Sequence, residues 1–260
     1  MFENERITFD DPPVKEVALG RIFLFRPDFL VPYFGAYWER IKARYPKTEI
    51  AESIFEPTDM AASFSPRVFF LTDDSRSLVQ IQQNRFHYNW RQTDDPVEYV
   101  RFPAIQKECL AAWSEFEQFV REMTGRALQP LNAELTYTNV VEAKSGETAA
   151  DLAEVALHDS VWSKHERFLT RPKAFSSTCA FALPDQKNAL QVTVTAVHRV
   201  ESATEKIEAL KIDLTVKGPC GSDDSFEEWS NSAHEFLVSA FKDLTTPEMH
   251  RRWKLRGNNG

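Results

Sequence analysis

The stretch 209–217, ALKIDLTVK, constrains the fold most. Leu210, Ile212, Leu214 and Val216 alternate with Lys211, Asp213, Thr215 and Lys217. A period of two sends the two sets to opposite faces of a strand. One face is dry and the other wet, so the strand belongs to an antiparallel sheet covered on one side. Two further strands precede it, over 176–183 and 190–200. In the second, Leu190, Val192, Val194, Ala196, His198 and Val200 share a face. The cover comes next in the chain. Ser225 and Glu228 frame a capping box, and Phe226, Trp229, Ala233, Phe236, Leu237, Phe241 and Leu244 stripe one side of the helix that follows.

The same order of elements occurs earlier. A strand over 15–25 is followed by a helix over 28–45. Strands over 67–72, 77–82 and 86–92 come next, then a helix over 103–123 striped by Ile105, Cys109, Trp113, Phe116, Phe119 and Val120. The second series opens with a strand over 131–143 and a short helix over 147–157. The expectation is an α+β fold of two pseudo-equivalent β-α-β-β-β-α halves, 1–128 and 129–260, with long helices packed on one face of antiparallel sheets. The two sheets can join edge to edge into one continuous curved sheet, which hides edges that invite aggregation. The halves share pattern and not residue identity. Segment 158–173 reads as helix plus loop, Thr246 to Trp253 as a short helix, and 256–260 as a mobile tail.

Twenty Phe, six Trp and six Tyr supply the apolar area for such a core, at roughly 25 cal/mol per Å² buried. Glycine is scarce, with eight in 260 residues, and neither G-x-G-x-x-G nor G-x-x-x-x-G-K-[ST] occurs. Nucleotide binding through glycine-rich phosphate loops is thereby excluded. The net charge of −8 argues against nonspecific nucleic-acid binding and against anionic membrane surfaces. No apolar run approaches the roughly 20 residues a membrane span needs, and the N-terminus lacks a basic region followed by an apolar stretch. Cys109, Cys179 and Cys220 are odd in number and far apart, which suits reduced thiols in the cytoplasm.

Candidate chemistry is sparse. His158, Asp159, His165 and Glu166 fall within nine residues and carry metal-ligating groups, but their spacing is not H-E-x-x-H, and solvated surface side chains are the plainer reading. Glu142 and Lys144 form an E-x-K at a strand end. That is the layout of Mg²⁺-dependent nucleases, in which carboxylates hold the ion and the lysine stabilises developing charge; a parallel core sheet with a further acid is not apparent. No G-x-S-x-G is present. Cys109 and Cys179 read as core, Cys220 as an exposed loop residue, and His198 and His234 as core histidines. The densest polar-aromatic run is 82–91, QQNRFHYNWR. Phe86, Tyr88 and Trp90 point inward by alternation, leaving Arg85, His87, Asn89 and Arg91, with Gln83 in the turn, as a polar face of the kind interfaces use. Thr193 and Thr195 lie on a second such face, whose default is solvation.

The opening 12–23, PPVKEVALGRIF, resembles the P-P-x-x-E-V-x-L-G-x-x-F start of a sporadically distributed bacterial family of roughly this length. Trp38 with Tyr45-Pro46, Phe86 with Asn89-Trp90-Arg91, and the ending from Ala233-His234 through Phe241, Leu244-Thr245 and Trp253 are similar to the same family. The resemblance implies an accessory gene of mobile, defence or toxin–antitoxin type and brings no catalytic residue or cofactor with it. The expected function is non-enzymatic binding of another protein, basic and encoded nearby, without cofactor. The alternatives are a metal-dependent nuclease or hydrolase, and a small-ligand binder with its pocket between the halves.

Overall fold

The computed structural model describes residues 7–54, 65–93, 99–159, 172–200, 206–221 and 225–256. The first series of elements is β1 (Thr8–Phe9), β2 (Val14–Phe23), α1 (Pro32–Ile41), β3 (Lys47–Ala51), β4 (Arg67–Leu71), β5 (Ser77–Gln82), β6 (Arg85–Arg91) and α2 (Phe102–Thr124). The second is β7 (Pro130–Glu142), α3 (Ala149–Ala156), β8 (Ser176–Ala182), β9 (Ala189–Val200), β10 (Lys206–Pro219), α4 (Phe226–Leu244), α5 (Pro247–Arg252) and β11 (Leu255–Arg256). The fold is α+β. Nine strands form one sheet in the order β3-β4-β5-β6-β2-β7-β10-β9-β8, and β1 pairs with β11 in a small second sheet. Read outward from its middle, the large sheet runs β2-β6-β5-β4 on one side and β7-β10-β9-β8 on the other. The repeated order of elements is therefore repeated in strand placement, with β3 as an addition at one end. No helix among the described residues is long and apolar enough to cross a membrane.

The chain divides into two compact units. One comprises residues 16–136 with 217–233. In it β3, β4, β5, β6 and β2 are antiparallel neighbours. The two-residue turn Gln83-Asn84 joins β5 to β6. One sheet face is apolar and receives both helices. Phe86 of β6 stacks on Phe116 of α2 at 4.9 Å, and Tyr37 of α1 meets Phe116 edge-on at 5.2 Å. Pro103 opens α2, and Gly125 closes it in the left-handed conformation at φ 71°, which only glycine adopts freely. α1 is shorter than its periodicity predicts. It starts at Pro32 and gives way to turns at 42–44, and the Trp38 indole N–H caps the exit by donating to the Tyr45 carbonyl at 3.0 Å. Arg21 also points to this side. Its guanidinium lies over Trp113 and Phe226 and donates to the carbonyls of Cys220 and Gly221 at 2.9 and 2.8 Å. Cys220 is consequently buried, contrary to the loop exposure its glycine neighbours suggest.

The other unit comprises, of the described chain, residues from 7–15, 137–216 and 234–256. Its aromatic centre is Phe241 of α4, stacked on Trp253 at 5.0 Å and edge-on to Phe9 at 5.5 Å. Tyr137 of β7 shares a hydrogen bond of 3.0 Å with His234 Nδ1. The apolar face of β9 is buried only over Leu190, Val192 and Val194; His198 and Val200 are exposed, so His198 is not a core histidine. Cys179 of β8 is exposed as well, not core. Both corrections share a cause: alternation marks which face a residue takes but not how far the cover extends. Of segment 158–173, residues 160–171 lie outside the described residues, as does the tail from 257.

Candidate functional site

The face of β6 opposite the helices carries a dense polar assembly of described residues. Arg85, His87, Asn89 and Arg91 point there because Phe86, Tyr88 and Trp90 take the helix side. The register sets Arg85 beside Gln82 of β5, His87 between Gln80 of β5 and Gly20 of β2, and Arg91 beside Glu16 of β2. The side chains then link. Arg67 Nε donates to Gln80 Oε1 at 2.7 Å, and Gln80 Nε2 donates to Asn89 Oδ1 at 2.8 Å. Asn89 Nδ2 and Arg91 Nε both donate to Glu16 Oε1. The guanidinium groups of Arg67 and Arg91 lie over the ring of Phe69 at 4.9 and 5.3 Å. On the other flank, Glu134 of β7 reaches His87 Nε2 at 3.4 Å and Arg85 Nη1 at 3.7 Å. Gln82 exchanges two hydrogen bonds with the backbone of Ile54, and Gln83 Nε2 donates to the Phe29 carbonyl at 2.8 Å.

This face is not open to water. Arg85, His87 and Asn89 are each about 2% exposed, so the solvent-facing strip that alternation suggests is instead an internal network. Gln83 and Arg91 are half-buried. Ile54, Arg67, Gln80, Gln82, Arg85 and His87 close on one another and leave no room for a water-sized molecule. Two carboxylates, Glu16 and Glu134, sit among three arginines, with Arg91 beside Glu16 and Arg85 beside Glu134.

The electrostatics follow from that crowding. Burial pushes the His87 imidazole below its ordinary value, against the upward pull of Glu134, so it is neutral at pH 7. Burial pushes the Glu134 carboxyl up. The adjacent His87, with the charges of Arg85 and Lys217, overcomes that and holds it down at about 2. Both groups bind protons less readily folded than unfolded, so both remove stability as pH falls. The His87 contribution is lost on going down through about 6.5. That of Glu134 is lost from about 4.5 toward 2. Urea denaturation between pH 7.5 and 4.5 should show stability falling with acidification. His87→Gln should flatten the upper part of that decline, while His250, also held low by burial, retains its share. Equal slopes in the two proteins would place the titration elsewhere.

The remaining candidates are dispersed. Glu142 ends β7 and meets Arg199 Nε at 3.4 Å. The Lys144 side chain is exposed, and its backbone N–H donates to Glu147 Oε2 at 3.0 Å. His158 and Asp159 are exposed in the turn after α3; His165 and Glu166 lie outside the described residues. No group of three His, Cys, Asp or Glu stands in metal-ligating array among the described residues. Burial pushes the Cys109 thiol well above its ordinary value, which leaves it unreactive. Thr193 and Thr195 are half-buried on β9 and bond across to Thr178 and Ser176 of β8 at 3.0 and 3.1 Å. Sequence reasoning missed Glu16, Gly20, Arg67, Gln80 and Glu134 as members of the network. One signal was present: a glycine inside a strand marks close backbone approach. No family model matches the chain, and no curated protein matches it either.

Proposed function

We propose that this protein acts without catalysis, by binding another protein, in a bacterial accessory system of mobile, defence or toxin–antitoxin type. One observation carries the reading. In the unit formed by 7–15, 137–216 and 234–256, the sheet face opposite Leu190, Val192 and Val194 carries short hydroxyl side chains in cross-strand pairs. Ser176 pairs with Thr195 and Thr178 with Thr193, and Thr138 donates to Asp213 at 2.6 Å. Such a face offers hydrogen-bonding groups already ordered by neighbouring strands, so little side-chain entropy is lost when a partner docks. The network on β6 offers no comparable surface, because its side chains must first be uncovered. The net charge of −8 suits a basic partner, and the resemblance of 12–23 to a sporadic bacterial family supports an accessory role.

The test is co-purification with the products of adjacent genes, followed by titration calorimetry. Thr193→Lys with Thr195→Lys should weaken the complex at least about tenfold, roughly 1.4 kcal/mol, while leaving the thermal midpoint in place. Mg²⁺- or Mn²⁺-dependent cleavage of RNA or DNA that disappears in Glu142→Ala would replace this proposal with a nuclease.

A further inference from the structure

β8 ends the nine-stranded sheet, and all seven of its residues are exposed. Edge strands are ordinarily protected by charge, proline or a covering segment. The sequence of β8, SSTCAFA, contains no charge and no proline. Its hydrogen-bonding direction can be read from its ends. The Ala196 N–H donates to the Phe175 carbonyl at 2.9 Å, and the Leu183 N–H to the Asn188 carbonyl at 3.4 Å. Both pairs continue the register that sets Ser176 against Thr195 and Ala182 against Ala189. In an antiparallel ladder, bonded and non-bonded pairs alternate. Odd-numbered residues therefore bond to β9, and Ser176, Thr178, Ala180 and Ala182 aim their N–H and C=O groups outward. No strand meets those groups among the described residues.

We propose that the strand that meets them is β8 of a second copy of this chain, antiparallel, with the two-fold axis at Cys179. That register sets Ser176 against the second copy's Ala182 and Thr178 against its Ala180, so each outward residue finds another outward residue. A centre on Thr178 or Ala180 leaves one of the four over, and a centre between residues sets outward groups against inward ones. The charges agree. The exposed Lys173 precedes β8 and the exposed Asp185 lies in the turn that follows it, so an antiparallel second copy sets a lysine end against an aspartate end. The apolar layer agrees too. Cys179 and Phe181 stand opposite Val192 and Leu190 and share their face, and Phe181 is 43% exposed where that layer stops. A second β8 continues it. The pairing does not depend on the threonine-face reading.

Analytical ultracentrifugation of the full chain, carried to its solubility limit because so small an interface is weak, tests this. The mass should rise from 29.9 kDa toward twice that value with concentration. Ala180→Pro removes one outward N–H and leaves the ladder to β9 intact, so it should stay at the single-chain mass. Cys179→Lys, which sets two ammonium groups face to face at the axis, should do the same. In the wild type, amide exchange at Thr178 and Ala180 should slow as concentration rises. A chain that stays monomeric, a dimer that survives both substitutions, or a dimer without protection at those amides overturns the proposal. So does protection conferred only by a different protein.

Discussion

Replacing Gly20 with alanine should cost about 3 kcal/mol or more, a large loss for a single methyl group. Gly20 lies in β2 directly opposite His87 of β6. A Cβ built there stands 2.1 Å from the Phe86 carbonyl oxygen and 2.5 Å from two carbons of the His87 ring. The carbonyl is backbone and cannot yield without moving β6. The imidazole is held by its packing on Gly20 and its contact with Glu134, in a crevice without spare room. Urea denaturation should therefore show a shifted midpoint, and the thermal midpoint should fall by roughly 6–12 °C for a chain of this size. Gly35 is the control. It lies in α1, and a Cβ there would meet nothing within 4 Å, so Gly35→Ala should stabilise by up to about 1 kcal/mol through helix propensity. If Gly20→Ala matches the wild type, the close approach of β2 and β6 is wrong.

The Gly20 result also bears on what could be read from the sequence. Residue patterning located β2, β4 to β10 and every described helix, whether the strand buries one face, as β10 does, both, as β6 does, or neither, as β8 does. It missed β3, whose residues Lys47 to Ala51 are exposed or nearly so and carry no such pattern. An edge strand with four of its five residues exposed has no hydrophobic signature. Periodicity also located the polar side of β6 but not its environment. Arg85, His87 and Asn89 alternate with aromatics in the same way whether they face water or other side chains. Their burial depends on Glu16, Gln80 and Glu134, which arrive from three other strands. The two misread thiols make the same point. Cys220 is buried by Arg21, about two hundred residues away, and Cys179 is exposed because the sheet ends beside it.

The aromatic richness of the chain makes its own demand, and Phe116 is where it is concentrated. Phe116→Ala should destabilise by about 3–5 kcal/mol. The ring has no exposed surface. It stacks on Phe86 at 4.9 Å, meets Tyr37 and Phe29 edge-on at 5.2 and 5.8 Å, and lies 6.1 Å from both Phe23 and Trp113. Those rings come from β2, α1, β6, α2 itself and the segment between β2 and α1. The site cannot collapse onto an alanine, because Phe86 is pinned by the ladders on both sides of β6 and Phe23 is held at the end of β2. The cavity term therefore adds in full to the lost transfer free energy. Met123, on the same helix but 41% exposed, gives the comparison: Met123→Ala should change stability by no more than about 0.5 kcal/mol. Chemical denaturation of both variants decides the matter. A Phe116→Ala loss below about 1 kcal/mol would mean that the helices rest on the sheet without interlocking, and that the long aromatic stripe of α2 contributes area but not fit.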